Sequence, residues 1–147
     1  MSLISPPDQQ RLRDAFAEMT NSVRLLFFTQ ALGCETCPEA RQILDELPPL
    51  SDKITIEEVN FVLDADGVKR YGIDRVPSIA LVGRDEAGVD RDSRIRFAGA
   101  PSGYEFSSLI HAVLLVGGRP SGLSEEQRQR LASVDRPIVM QVFTTPT

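Results

Sequence analysis

The stretch ALGCETCPEARQIL, Ala31 to Leu44, holds both cysteines of the chain, Cys34 and Cys37, with two residues between them. Such a pair serves as half of a metal clamp, as a covalent staple or as a redox couple, and the flanking residues decide among these. Upstream, Ser22 to Thr29 (SVRLLFFT) is short, apolar on both faces and rich in β-branched and aromatic residues, the pattern of a strand covered on both sides. Downstream, PEARQILDEL sets Ala40, Ile43, Leu44 and Leu47 at helical spacing. Pro38 is tolerable there only in the first turn, and Pro48 and Pro49 end the helix. The cysteines therefore lie between a strand and a helix.

The rest of the chain continues that alternation. Asp8 to Met19 reads as an amphipathic helix with Asp8 at its N-cap. Lys53 to Val62 reads as a second strand, Ala65 to Tyr71 as a short helix ended by Gly72, and Ser78 to Gly83 as a third strand. Arg94 to Ala98 reads as a fourth strand after the polar turn GVDRDS, and Tyr104 to Val116 as a closing helix. The order αβαβαββα predicts a three-layer α/β domain in which a crossover helix joins the first two strands.

Composition bounds the function. A chain of 147 residues with 41% apolar content buries one sizeable core, and a net charge of −5 without a basic cluster argues against nucleic acid or an anionic membrane as partner. The amino-terminal MSLISPPDQQ lacks the basic start and apolar run of a secretion signal, and no apolar stretch approaches the roughly 18 residues of a membrane span. A cytosolic location is expected. Thiols there are mostly kept reduced, and a two-residue loop is too tight to staple a fold.

In that context the pair reads as a dithiol redox motif. A structural zinc site wants about four ligands, and beyond Cys34 and Cys37 the chain offers only His111, on the far helix, and carboxylates. Cys34 at a helix N-terminus meets unpaired N–H groups and the helix dipole, which favour the thiolate and make it the attacking sulfur. Cys37, one turn in, is placed to attack the mixed disulfide and release the substrate. Glu35 beside the thiolate opposes part of that effect, so a moderately reducing couple is expected. No cofactor is required beyond the Cys34–Cys37 disulfide itself.

LLFFT, GCETCP, YGIDRVPSIALVG and FAGAPSGYEFSSLI, in that order and spacing across residues 22–116, resemble the thioredoxin/glutaredoxin superfamily. The resemblance implies a central four-stranded mixed sheet flanked by helices. It also implies a cis peptide bond at Val76-Pro77 facing the cysteines, whose backbone binds an extended substrate, and Gly99 as a third rim of the substrate groove. A proline leading into a strand is unusual enough to fit a special geometry on its own account, whereas turn chemistry alone also explains Gly99. The sequence departs from thioredoxins in two places. Gly33 stands where they have Trp, and Phe28, six residues before Cys34, stands where they bury an acid. Counting back from Tyr71-Gly72-Ile73, Glu58 falls near a buried lysine of the family and is the candidate proton acceptor for Cys37. An outward-facing position on an alternating strand stays open for it.

The tail echoes the beginning. After the linker at residues 117–122, Leu123 to Val134 reads as a polar helix capped by Ser124 with Gln127 at N3, and Pro137 to Thr144 as a strand. QQRLRDAF and VRLLFFTQ are thus answered by EEQRQRLA and IVMQVFTT. The expected organisation is a thioredoxin-like domain at 1–116, the linker, and at 123–147 the start of a second, incomplete repeat. The whole resembles the N-terminal unit of a tandem glutaredoxin-like protein disulfide oxidoreductase. Two functions follow from this. One is a thiol–disulfide oxidoreductase acting on disulfide-containing proteins, served by a reductase or second redox unit. The other is a docking half of a tandem redox protein, including the electron-relay domain of the flavoprotein component of alkyl hydroperoxide reductase. The first copy of that relay often lacks its cysteines, so their retention here favours the former. The apolar tail strand further suggests a homodimer paired through it.

Overall fold

The computed structural model describes residues 2–145. Met1, Pro146 and Thr147, at the outer ends of the two expected repeats, lie outside the described residues.

Helix α1 spans Pro6–Ala17, and three residues earlier than expected its N-cap is Ser5, not Asp8. Pro6 and Pro7 occupy the first helical positions, where a missing N–H costs nothing, and Asp8 shares a hydrogen bond with the Ser5 hydroxyl at 2.6 Å. Strand β1 (Ser22–Thr29) follows, with residues 25–28 buried in an unbroken run. Helix α2 (Cys37–Asp45) ends before the double proline, which opens a short 3₁₀ turn at Pro48–Leu50. Strand β2 (Ile54–Asn60), helix α3 (Ala65–Tyr71), strand β3 (Ser78–Arg84), strand β4 (Asp90–Ala98), helix α4 (Tyr104–Val116) and helix α5 (Glu125–Ala132) complete the order.

The sheet is four-stranded in the order β2-β1-β3-β4, with β1 parallel to β2 and the β1–β3 and β3–β4 pairs antiparallel. This is the expected mixed sheet, and its two faces carry two separate cores. Phe16, Leu25, Phe27, Leu44, Ile79, Leu81 and Leu109 join α1, α2 and α4 on one face. Leu26, Phe28, Val59, Ile73, Ala80 and Val82 lie under α3 on the other. Phe28 thus fills with hydrocarbon the position where the resembled family buries an acid.

Two expectations fail for physical reasons. The polar stretch before Arg94 is not a turn but the first half of β4. As an edge strand, β4 shows charge in place of apolar alternation, and its carboxylates are paired: Asp90 with Arg84 and Arg24, Asp92 with Arg96. The Ser93 hydroxyl donates to the Leu81 carbonyl at 2.6 Å, and Arg94 adopts φ 63° where the register with β3 shifts. The second correction is at the tail. Residues 137–144 form no strand, and Ile138, Val139, Met140, Val142 and Phe143 are exposed, because apolar β-formers make a strand only beside another one. Helix α5 has the expected Ser124–Gln127 capping box and buries nothing.

The start of the linker is tied to the turn between α1 and β1. The Gly117 carbonyl accepts from the N–H groups of Thr20 and Asn21 at 2.9 and 3.0 Å, and Gly118 has φ +109°, where a Cβ would lie 2.2 Å from the Thr20 hydroxyl. Only glycine fits at that second position.

Candidate active site

The topology brings four chain segments to one end of the sheet. Thr29 pairs with Asn60, Phe28 with Ser78 and Ser78 with Ala98, so β1 and β2 end where β3 begins and β4 ends. The loop carrying Cys34, the loop after Asn60, the Val76-Pro77 peptide and Gly99 all stand on this end.

Cys34 and Cys37 are joined as a disulfide with their Cα atoms 5.5 Å apart, an ordinary span for such a bond. Helix α2 begins at Cys37, with Thr36 as its N-cap. Cys34 therefore sits in the turn ahead of the helix rather than in its first turn, next to the end at which a helix leaves N–H groups unpaired. The two sulfurs differ in access. Cys37 is buried at 5% exposure, while Cys34 is half-buried. A reagent arriving from solvent meets Cys34 first, and Cys37 is held behind it.

The Val76-Pro77 peptide bond is cis, and the Pro77 carbonyl accepts from the Gly99 N–H at 2.9 Å. Gly99 has φ +100°, with no atom within 4 Å of where a Cβ would stand. The chain beside it is open. Ser78, a buried polar side chain, donates its hydroxyl to the Arg75 carbonyl at 2.7 Å and fixes the turn that presents Val76 and Pro77.

Glu58 lies on β2 opposite Phe27. It is exposed and ion-paired with Arg41, which also binds Asp45 at 2.9 Å. Arg41 is one helical turn beyond Cys37, so the carboxylate reaches the α2 side of the site through this cation. Desolvation opposes the charge on Arg41, but the combined hydrogen bonds and charges of Asp45 and Glu58 outweigh it and raise its pKa. Its charge is fixed. Among the described residues no group of three or more His, Cys, Asp or Glu side chains has a metal-holding arrangement, and His111 lies on α4, lining a cleft against α1 and α2.

Sequence reasoning missed the apolar side chains at this end. Leu32, Val62 and Leu63 are 86%, 68% and 82% exposed. The β-branched character of Val62 reads as a continuation of β2, although Asn60, two residues before, signals a turn. Its side-chain oxygen accepts from the N–H groups of both Val62 and Leu63 at 3.0 Å and stops the strand there.

No protein-family model matches the chain. It is 39% identical over 88 residues to the alkyl hydroperoxide reductase AhpF of Xanthomonas campestris pv. phaseoli, a match covering 60% of this chain and 14% of that protein. Over 79 residues, 53% of this chain, it is 33% identical to a probable thioredoxin of Methanothermobacter thermautotrophicus, of which it covers 81%. Among solved structures, the NTD_N/C domain of alkylhydroperoxide reductase AhpF from Enterococcus faecalis matches with a TM-score of 0.79 and 32% identity, covering 90% of this chain and 62% of that one. A protein disulfide oxidoreductase from Aeropyrum pernix shares the fold, with a TM-score of 0.73 and 24% identity over 88% of this chain and 54% of that one. The α/β sheet with a Cys-x-x-Cys pair between β1 and α2 is that of a thioredoxin-fold protein of a redox family. The chain belongs to the thioredoxin/glutaredoxin superfamily and resembles the N-terminal unit of a tandem member. It spans only a small part of the length of the AhpF relatives it matches. Among the described residues no helix is long and apolar enough to cross a membrane.

Proposed function

We propose that this domain exchanges disulfides with protein substrates in the cytosol, with Cys34 as the attacking thiol and Cys37 as the resolving one. The chemistry is carried by the two sulfurs without a bound cofactor. The Cys34 thiolate attacks a substrate disulfide, forming a mixed disulfide and expelling one substrate thiolate. Cys37 then loses its proton and attacks Cys34, releasing the second thiolate and closing the Cys34–Cys37 disulfide. Two electrons pass to the substrate, and a dithiol reductant returns them. The observation that carries this reading is the unequal access of the two sulfurs: Cys34 half-buried, Cys37 buried. In this reading Val76, Pro77 and Gly99 hold the substrate backbone, and Glu58, held beside α2 by its ion pair with Arg41, takes the Cys37 proton.

The test is insulin reduction with dithiothreitol. The domain accelerates precipitation of the insulin B chain and Cys34→Ser abolishes the effect; equal rates for the two proteins refute it.

The similarity to AhpF supports a second reading, in which the same exchange relays electrons to one dedicated redox unit. In that case insulin is a poor substrate, while exchange with the matching dithiol partner is fast and still needs Cys34. The organisation proposed is one thioredoxin-like domain at 1–116 followed by the start of a second repeat. The exposed apolar residues between 138 and 143 pair with the same segment of a second copy. Light scattering of the whole chain then reports a dimer, and a monomer at high concentration refutes the pairing.

A further inference from the structure

Leu32, Val62 and Leu63 lie in adjacent loops. Strands β1 and β2 run side by side to Thr29 and Asn60, and the Phe61 N–H donates to the Thr29 carbonyl at 2.9 Å. Beyond that bond the β2 loop closes tightly on Asn60, whose side chain takes Val62 and Leu63 and whose carbonyl accepts from Asp64 at 2.9 Å. In the β1 loop, the Gln30 side chain holds the Leu32 carbonyl at 2.8 Å, and Gly33, at φ +72°, turns the chain into Cys34. Three of the most exposed apolar side chains of the folded domain thus form a ledge beside the redox disulfide, on backbone fixed by hydrogen bonds. The ledge stands proud. A large cleft of about 770 Å³ lies elsewhere, between α1, α2 and α4. A raised apolar surface fits a polypeptide, whereas a small ligand needs a cavity.

The charges in the loops of the ledge and at the start of α3 are acidic. Glu35 lies between the cysteines, Asp64 caps α3 by accepting from the Gly67 N–H at 2.8 Å, and Asp66 occupies the first turn of α3. None of the three takes part in an ion pair among the described residues. Lys69 and Arg70 lie in the last turn of α3, beyond Asp66, and two other cations are already paired with acids. Arg75 is paired with Asp74 at 2.8 Å, and Arg41 is shared by Asp45 and Glu58.

We infer that this ledge docks the segment flanking the disulfide of a partner protein, and that the segment it selects is apolar and cationic: Leu, Ile or Val side chains against Leu32, Val62 and Leu63, with Lys or Arg beside Glu35, Asp64 and Asp66. This rests on the reading of Cys34–Cys37 as an exchange site. Apolar contact supplies the affinity, and the acidic rim supplies steering and partner choice.

The test uses the whole chain, reduced, and two disulfide-bridged peptides that differ only in flanks of Leu-Lys or Leu-Glu, each rate divided by that for neutral 2-hydroxyethyl disulfide. The cationic peptide reacts about tenfold faster than the acidic one, and the preference collapses between about 0.05 and about 0.5 M salt. Leu63→Ser lowers the normalised rate of both peptides about fivefold, and Asp66→Lys narrows the preference. Equal normalised rates for the two peptides overturn the proposal. A chain that leaves 2-hydroxyethyl disulfide unreacted refutes exchange itself. Docking is then read by titrating the chain with the same peptides carrying Ser for Cys, where tighter binding of the cationic peptide supports the ledge and equal affinities overturn it.

Discussion

The N–H of Gly99 donates to the carbonyl of Pro77 at 2.9 Å, tying the end of β4 to the cis peptide at the start of β3, at the end of the sheet that carries the cysteines. The bond needs a residue with φ near +100°, and there is room for a side chain but not for its backbone preference. Gly99→Ala therefore loses about 1–2 kcal/mol in urea unfolding and slows exchange with peptide disulfides more than with 2-hydroxyethyl disulfide. Unchanged stability would show that the turn relaxes and that the glycine is dispensable.

Asp92 and Arg96 give the edge strand an acid-sensitive contact. The Arg96 hydrogen bond holds the Asp92 carboxyl below its ordinary pKa, against partial burial, with help from the Arg94 N–H and the charges of Arg96 and Arg94. A carboxylate whose folded pKa is depressed stabilises the fold above its unfolded value and loses that contribution as pH falls through the folded one. Wild type should therefore exceed Asp92→Asn by up to about 1 kcal/mol at neutral pH. The gap should shrink once pH drops below about 4. Arg96 also lies over the Tyr71 ring and donates to its carbonyl at 2.9 Å, so the variant loosens α3 as well. A pH-independent gap would assign the effect to packing.

Glu58→Gln removes one of the two carboxylates on Arg41. If Glu58 takes the Cys37 proton, its loss slows release of the Cys34 mixed disulfide several-fold, on the order of the loss of a general base. Its pH profile shifts while Cys34 alkylation is unaffected. A resolution rate equal to wild type across pH leaves Glu58 as a surface partner of Arg41.

Much of this site was legible from one feature, the apolar strand running into Gly33–Cys34, because a strand buried on both faces and a proline-marked helix start admit few alternatives. Strand β3 and α4 were equally plain, each an unbroken apolar or periodic run. Strand β4 hid its first half because edge strands satisfy charge laterally; Arg24, Arg84 and Asp90 cooperate across three strands that a linear reading keeps apart. Residues 137–144 misled in the opposite direction, since a β-rich composition says nothing about whether a neighbour exists. The apolar ledge was invisible for a related reason. Leu32 and Leu63 are 31 positions apart and come to the same end of the sheet only because β1 and β2 are parallel and in register.

The role of Cys34 as the attacking sulfur is tested most directly by trapping. The reduced Cys37→Ser protein, mixed with a disulfide-bridged peptide and quenched with acid, should accumulate a stable one-to-one mixed disulfide, and peptide mapping should place it on Cys34. Cys34→Ser under the same conditions should remain unmodified, because Cys37 is buried behind the first sulfur. A mixed disulfide formed faster on Cys37 in the Cys34→Ser protein than on Cys34 in the Cys37→Ser protein would contradict the account.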